Sequence, residues 1–343
     1  MHRITLPNQH TLSPIACGVW RWADTADTGV DTALARVDAC LNQGITTFDH
    51  ADIYGDYRCE ALFGAALRAR PALRQQIELV TKTDIMLLSA QWPDTRVKHY
   101  DTRPAHVQAS VERSLQRLGV EVIDLLLIHR PDPLCDAGAL GACLDRLIDD
   151  GKVRGVGVSN FMPWDADLLQ SRMRHRLQLN QIELSLLHTA PFTNGQLAHA
   201  QQHRMPVMAW SPLGGGRLHT EAQQPGTAAH RLAPRLAELA RASGTDTTAV
   251  AMAWLMHHPA DVIPVMGSLQ PERIAGFTQA LQVPMDRQTW FEPFIAATSR
   301  GLRPSLVLGR RRPSGWSSWQ CLEAAATRSA STGSSPTRRS TTP

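Results

Sequence analysis

The chain lacks the features that mark secreted and membrane proteins. Its six cysteines are widely scattered, with no Cys-x-x-Cys pair, and a chain of 343 residues needs no disulfides to hold its fold. No apolar run reaches the roughly 20 residues of a membrane-spanning helix. The opening MHRITLPNQH also lacks the apolar segment of a signal peptide. We therefore expect a cytoplasmic protein with reduced thiols and no membrane partner.

A strong net charge is also lacking, since the formal charge is only +4. Residues 300–343 contain eight arginines and one acid, so residues 1–299 hold 27 basic and 30 acidic side chains. The body of the chain is thus mildly acidic, and a basic surface for nucleic acid is not expected on it.

Eight short apolar runs alternate with amphipathic segments between residue 14 and about residue 280. The runs are PIACGVW (14–20), ITTFDHA (45–51), IELVTKTD (77–84), IDLLLIHRP (123–131), VRGVGVSNF (153–161), LQLNQIELS (177–185), MPVMAWSPL (205–213) and VIPVMG (262–267). The segments between them carry apolar residues at helical spacing, and Gly119 is a typical helix stop. The pattern predicts strands that alternate with helices.

Such an alternation implies right-handed β-α-β units and a parallel sheet, either closed as a barrel or open and doubly wound. The chain lacks the G-x-G-x-x-G motif that an open nucleotide-binding sheet carries after its first strand, and GVGVSN in the fifth run lacks the third glycine. We therefore predict an α/β fold of the (β/α)8 TIM-barrel type, with a single domain over residues 1–300. Residues 301–343, rich in Arg, Ser, Thr and Pro, are predicted to form a disordered tail.

Polar side chains close consecutive runs, at the strand ends where barrel enzymes hold their catalytic groups. Asp49 lies at the end of the second run and Tyr54 follows it, Lys82 closes the third, and His129 follows four consecutive apolar residues in the fourth. Taken singly, each has a structural explanation: a packed tyrosine, a buried ion pair or a hydrogen-bonded histidine. Taken together, we expect them to face one pocket.

The four groups suit the reduction of a carbonyl. Hydride addition leaves an alkoxide that must be protonated, and an ammonium group beside a phenol lowers the pKa of that phenol. Lys82 is therefore predicted to act on Tyr54, with Asp49 holding Lys82 and His129 donating to the carbonyl oxygen. Lys82 is one of only three lysines against 32 arginines, which fits a need for a compact charge beneath a phenol.

The order Asp-x4-Tyr, Lys, His resembles the catalytic tetrad of the aldo-keto reductase superfamily, and most of all its bacterial oxidoreductase branch typified by YdhF. Further motifs match in order: VSNF (158–161), NQIELS (180–185), AWSPLGGG (209–216) and IPVMGSLQPERI (263–274). The resemblance covers about residues 3–300. It implies an NADPH-dependent reductase of aldehydes or ketones, with alcohol oxidation as the reverse reaction.

The resemblance also implies the cofactor contacts. The nicotinamide carboxamide is assigned to Ser159, Asn160 and Gln181, and Trp210 is expected to stack on the nicotinamide ring. Ser211, Leu213 and Gly214 are assigned to the pyrophosphate, and Gly267, Ser268 and Arg273 to the adenosine 2′-phosphate. The first strand end contributes Gly18, Val19 and Trp20 to the same site.

Two departures from the family pattern bear on cofactor choice. Gln270 stands where related sequences often carry a lysine, which leaves Arg273 more alone at the 2′-phosphate, so NADPH is expected over NADH without being secured. IAGF after Arg273 lacks the acid or amide that often contacts adenine.

Other motifs are assigned structural roles, and no metal site is expected. HAQQH (199–203) has two histidines four residues apart without an intervening glutamate, and is interpreted as an exposed helix face.

Trp20 and Trp92 are expected to wall an apolar substrate pocket. Two alternative functions remain open: a cofactor-binding regulatory subunit with little turnover, and an unrelated barrel such as a phosphate-binding isomerase. The substrate is expected to be a small carbonyl compound of unknown identity, and the oligomeric state is not predicted.

Overall fold

Eight short strands form one closed parallel barrel in the computed structural model, which describes residues 2–298. The strands are β1 (Ala16–Gly18), β2 (Thr47–Asp49), β3 (Glu78–Thr83), β4 (Leu125–Ile128), β5 (Val156–Ser159), β6 (Asn180–Glu183), β7 (Val207–Trp210) and β8 (Val262–Met266). Each lies inside one of the eight apolar runs and pairs in parallel with its sequence neighbours, and β8 closes onto β1. The predicted TIM-barrel class is confirmed.

Helices follow the strands and surround the barrel. They are α1 (Val30–Leu41), α2 (Tyr54–Tyr57), α3 (Cys59–Ala69), α4 (Pro104–Leu118), α5 (Ala137–Asp149), α6 (Pro163–Gln170), α7 (Gln196–His203), α8 (Arg217–Thr220), α9 (Ala228–Ser243), α10 (Thr247–Met256), α11 (Pro271–Phe277) and α12 (Arg287–Thr298). Short 3-10 turns occupy Trp22–Asp24, Pro71–Gln75, Ala190–Phe192, Gly214–Gly216 and Thr278–Gln282.

Local sequence explains where these helices begin, end and pack. Pro104 opens α4, where its missing N–H leaves no partner unsatisfied, and Gly119 ends the helix in the left-handed conformation with φ of 70°. Gly64 lets α3 and α4 pack closely, because a Cβ there would lie 1.9 Å from the carbonyl oxygen of Arg117. Helix ends and helix contacts are thus set by residues that the sequence already displays.

A two-stranded hairpin (Ile4–Thr5 with Thr11–Leu12) covers the amino-terminal end of the barrel. Ile4, Leu6 and Leu12 are buried in the same cluster as the apolar residues of the barrel interior. Arg3 ties the hairpin to the start of β3 through an ion pair with Glu78 at 2.5 Å. The carboxyl ends of the strands, at the opposite mouth, are therefore where polar side chains have room to gather.

Two expectations concern other parts of the chain. Within residues 2–298 no helix is both long enough and apolar enough to cross a membrane. The predicted tail (301–343) and its boundary with the barrel domain lie outside the described residues and stay a prediction.

Candidate active site

The alternation of side chains along the strands carries the predicted catalytic residues to the carboxyl end of the barrel interior. On β3, Val80 belongs to the interior cluster, so Lys82 points to the same side two residues further on. The same step leads from Leu127 of β4 to His129. Asp49 is the last residue of β2 and, like Lys82, is buried. Inside the barrel, a polar layer of Asp49, Lys82 and His129 therefore lies above the apolar layer, at the carboxyl ends of the strands.

Lys82 is the centre of a buried hydrogen-bond network. Its Nζ donates to Asp49 Oδ1 at 2.7 Å, to the carbonyl oxygen of His50 at 2.7 Å and to the hydroxyl of Tyr54 at 3.1 Å. Asp49 Oδ1 also accepts from Nε2 of Gln181 at 2.9 Å, across the barrel from β6. All three donors of the ammonium group are thus used, and its position beside the phenol is fixed.

The charges of this network differ in part from the sequence expectation. Burial favours the neutral amine of Lys82, but Asp49 and Tyr54 outweigh burial and raise its pKa, so Lys82 stays protonated. For Tyr54, burial raises the pKa, while Lys82 and Arg130 act in the lowering direction without prevailing. Lys82 therefore acts on Tyr54 in the predicted direction, but removal of the phenol from water is the larger effect and leaves the pKa of Tyr54 raised.

His129 is a neutral imidazole beside the phenol. Burial and the positive charges of Lys82, Arg130 and Lys98 hold its pKa well below the usual range. Its ring meets that of Tyr54 edge to face at 6.1 Å, and its Nδ1 has no hydrogen-bond partner among residues 2–298. A buried ring nitrogen without a partner is costly unless a ligand completes it.

The residues assigned to the carboxamide lie together and bond to one another. Asn160 donates to Ser159 Oγ at 2.8 Å and to the carbonyl oxygen of His129 at 3.2 Å. Its Oδ1 accepts from the indole N–H of Trp210 at 2.9 Å. Asn160 has a positive φ of 62°, a conformation that asparagine tolerates better than most residues. The indole of Trp210 is thereby fixed beside the tetrad.

The turn after β7 exposes backbone where the pyrophosphate is predicted. Ser211 and Gly214 both have positive φ, of 51° and 61°. Leu213 is half-buried between them. At Gly215 and Gly216 an added Cβ would meet nothing within 4 Å, so the backbone there lies open to an incoming group. An open glycine turn suits a phosphate, which accepts hydrogen bonds from backbone N–H groups.

The ends of β1 and β8 meet at the same mouth. Val19 donates its backbone N–H to the carbonyl oxygen of Asp49 at 3.0 Å. A Cβ on Gly18 would lie 3.1 Å from the carbonyl oxygen of Met266, so β1 and β8 approach closely. Trp20 is exposed, and its indole nitrogen lies 3.4 Å from the place where a Cβ of Gly267 would stand.

The residues assigned to the 2′-phosphate follow β8. Ser268 is half-buried, and Arg273 is exposed on α11. An open glycine turn and an exposed guanidinium at this mouth are groups that can bind the phosphates of a dinucleotide. The donor chemistry of this mouth fits NADPH.

Trp92 lies apart from this arrangement. It lines a cavity of about 480 Å³ beneath the segment 86–103, and none of the cavity-lining residues belongs to the tetrad. Its ring packs on Tyr57 at 6.0 Å. The structure therefore places Trp92 in a cavity separate from the predicted catalytic residues.

Sequence reasoning missed Arg130, the residue after His129. Its guanidinium lies over the ring of Trp210, 5.9 Å from the centroid, and its charge acts on both Tyr54 and His129. The adjacency to His129 was a usable signal, since the residue after a strand-closing catalytic group lies at the same mouth.

Sequence reasoning also missed the buried partners of Asp52 and the buried acid Glu60 near it. Asp52 accepts from Ser110 Oγ at 2.7 Å, and Glu60 accepts from Thr81 at 2.7 Å and from Ser114 at 3.1 Å. These partners come from α4 and β3, far along the chain, so no local spacing reveals them.

We expect Asp52 to make stability fall as pH rises. Burial and the nearby Glu60 raise its pKa to about 7, against 3.8 ordinarily. The folded state then holds a proton that the unfolded state has lost between about pH 4 and pH 7. This contribution is fully present below pH 4 and lost above pH 7. Asp52→Asn cannot ionise, so it should flatten the pH dependence in urea unfolding from pH 5 to pH 8.

The exposed acid Asp31 on α1 supplies the control, because Asp31→Asn changes the charge equally without a buried carboxyl. We expect Asp31→Asn to keep the pH dependence of the parent. An Asp52→Asn protein with the same slope as the parent would contradict this assignment.

Comparisons with known proteins agree with the geometry. A model of the Aldo/keto reductase family matches residues 14–292. The chain belongs to the aldo/keto reductase family. The predicted resemblance to this family is confirmed, and so is the predicted oxidoreductase class.

Two curated members and one solved structure illustrate the relationship. A 6-dehydroglucose reductase of Agrobacterium fabrum is 51% identical over 88% of this chain and 99% of its own length. Oxidoreductase YdhF of Escherichia coli is 39% identical over 85% of this chain and 96% of its own. An aldo/keto reductase from Klebsiella pneumoniae, solved with NADP and acetate, superposes with a TM-score of 0.70 at 23% identity, over 85% of this chain and 93% of its own. This last likeness concerns the fold.

Proposed function

We propose that the chain is an NADPH-dependent reductase of aldehydes and ketones, with Tyr54 as the general acid. The observation that carries the proposal is the single ammonium group of Lys82, which bonds to Asp49 and to the Tyr54 hydroxyl at the catalytic mouth of the barrel. A purely structural ion pair would not need a phenol as its third partner.

Each residue then has a role in proton handling. The raised pKa of Tyr54 keeps its hydroxyl protonated at neutral pH, so the phenol holds the proton that a new alkoxide requires. Lys82 stabilises the phenolate left behind, because its own raised pKa keeps it charged. The neutral imidazole of His129 donates an N–H to the carbonyl oxygen and orients it.

A bound reduced nicotinamide supplies the hydride for the carbonyl carbon. Trp210 offers an aromatic face for the nicotinamide ring, at a position fixed by its bond to Asn160. Ser159 and Gln181 lie within the same network, and Gln181 connects it to Asp49. We infer that these residues orient the cofactor toward Tyr54.

We expect Arg273→Ala to weaken NADPH binding by about 10- to 100-fold, the effect of losing a charge-assisted contact worth about 1.5–3 kcal/mol. NADH, which lacks the 2′-phosphate, should bind equally to both proteins. The measurement is quenching of tryptophan fluorescence during titration with each cofactor.

Arg241→Ala provides the matched control, since Arg241 is also exposed but lies on α9. It should leave both affinities unchanged. Equal affinity of the parent protein for NADPH and NADH would remove the assigned role of Arg273.

For the substrate we propose aldehydes of polyhydroxylated sugars. The relative named 6-dehydroglucose reductase supports this proposal, because it matches the chain over nearly its whole length. Arg130 supports it independently, since a guanidinium beside Tyr54 and His129 can donate to sugar hydroxyls near the reacting carbonyl.

The test is consumption of NADPH by the purified chain with a panel of carbonyl compounds. The panel contains glucose 6-aldehyde, an unbranched apolar aldehyde and a ketone of similar size. We expect turnover with the sugar aldehyde at the highest kcat/KM. NADPH binding without turnover on any member would favour a regulatory subunit, and no binding of either cofactor would favour an unrelated barrel.

A further inference from the structure

Three side chains with metal-binding groups meet on the outer face of the barrel. His199 Nε2 lies 2.8 Å from Asp167 Oδ1, and His203 Nε2 lies 3.4 Å from the same oxygen. One ligand atom from each residue can be chosen so that no two are more than 4.8 Å apart. Among residues 2–298 this is the one such group of three histidine, cysteine or acidic residues.

The fold explains the convergence. His199 and His203 are four residues apart on α7, so they lie one above the other on one helix face. Asp167 comes from α6, which approaches that face. HAQQH is predicted from sequence to be an exposed helix face, but His199 is 8% exposed, so that interpretation is wrong for this residue. The contact with α6 buries it.

Two of the three ligand spacings suit a transition metal, and the third is at most 4.8 Å. Ligands at about 2.0–2.1 Å from a tetrahedral zinc ion are separated by roughly 3.3 Å. The two histidine–carboxylate distances, 2.8 Å and 3.4 Å, lie close to that value. Two imidazoles and one carboxylate are ligands that Zn²⁺, Ni²⁺ and Cu²⁺ accept, whereas Ca²⁺ and Mg²⁺ prefer an all-oxygen set.

A cavity beside the cluster leaves room for a further ligand. Its volume is about 270 Å³, and it is lined by both histidines, Asp167, Gln170 and Arg176 among others. Arg176 donates to the carbonyl oxygen of His203 at 2.6 Å. Its positive charge opposes a cation, so we expect weaker binding than at a four-ligand structural zinc site.

A second histidine–carboxylate pair in the described part of the chain, His175 and Asp149, makes a hydrogen bond without a third metal-binding group. His175 Nε2 lies 2.9 Å from Asp149 Oδ1, a distance like that of His199 and Asp167. Among the described residues no third metal-binding side chain joins that pair. It serves as an internal control for histidine–carboxylate contacts that hold no metal.

We propose that Asp167, His199 and His203 form a site for a divalent transition metal such as Zn²⁺, with water in the adjacent cavity completing the coordination. The site is distinct from the reductase mouth and lies on the helices outside the barrel.

The test uses the full-length chain without an affinity tag, freed of metal by dialysis against a chelator and titrated with ZnCl₂ by calorimetry. We expect one site that weakens by about 100-fold or more in His199→Ala and His203→Ala. Asp167→Asn should also weaken it. Because Asp167 is exposed, this variant tests the site even where a histidine variant folds poorly. His175→Ala should bind zinc as the parent does.

Titration with Co²⁺ distinguishes this site from cysteine thiols, because thiolate ligands add a charge-transfer absorption that nitrogen and oxygen ligands lack. We expect visible cobalt absorption without that band, lost in Asp167→Asn, and reductase turnover unchanged in the three site variants. The proposal is overturned if the parent protein binds no zinc. It is also overturned if all three variants bind zinc as tightly as the parent does.

Discussion

Tyr54→Phe is expected to lower kcat/KM for carbonyl reduction by about 10²- to 10⁴-fold, the range for loss of a general acid. The variant removes the hydroxyl that bonds to Lys82 at 3.1 Å but keeps the ring that meets His129 edge to face. NADPH affinity should stay within a few-fold of the parent, because the proposed cofactor contacts lie at the ends of other strands. Steady-state turnover and fluorescence titration of the same preparations measure the two effects.

Tyr57→Phe is the matched control for this loss. Its hydroxyl accepts a hydrogen bond from the backbone N–H of Leu87 at 3.0 Å and takes no part in the tetrad. The chemical change is the same at a position three residues away, so we expect nearly full turnover. A Tyr54→Phe protein as active as Tyr57→Phe would exclude the phenol as the acid.

Lys82→Met is expected to remove turnover to a similar extent, about 10²- to 10⁴-fold. Lys82 is the charge that lowers the pKa of Tyr54 against the effect of burial, so its loss raises that pKa further and leaves the phenolate unsupported. The same change leaves Asp49 as a buried carboxylate whose remaining side-chain partner here is Gln181. Breaking a buried pair in this way costs about 3–5 kcal/mol of stability.

A second substitution separates the two effects of Lys82→Met. Asp49→Asn in the Lys82→Met background removes the unpaired charge, so urea unfolding should recover much of the lost stability. Turnover should not recover, because the ammonium group that bonds to the phenol is still missing. Recovery of turnover together with stability would show that Lys82 acts only by holding the fold.

The fold was largely predictable because its signals are local. Each strand lies inside one apolar run, and Gly119 ends α4 in the left-handed conformation that favours glycine. Two residues of alternation beyond Val80 place Lys82 inside the barrel. Such features depend on residues that are close in the chain, so the spacing of apolar and polar residues in the sequence predicts them.

The grouping of Asp49, Tyr54 and Lys82 was predictable from the sequence, but the net shift of the Tyr54 pKa was not. The bonds of Lys82 to Asp49 and Tyr54 agree with the expected pairing, whereas the direction of the Tyr54 pKa depends on how far folding withdraws the ring from water. The contact between Asp167 on α6 and His199 on α7 joins residues that are 32 positions apart in the chain. No pattern of spacing encodes such a meeting, since it follows from how α6 and α7 pack.

The most direct test of the central claim is the transfer of deuterium from NADPH in which both hydrogens of the reactive nicotinamide carbon are replaced by deuterium. The purified chain is incubated with this cofactor and glucose 6-aldehyde, and the mass of the alcohol product is measured by mass spectrometry. We predict that each product molecule carries one deuterium and is heavier by one mass unit. The parent and Tyr57→Phe should form this product, whereas Tyr54→Phe should form very little of it. Alcohol product without deuterium, or no product despite bound NADPH, would contradict hydride transfer at this site.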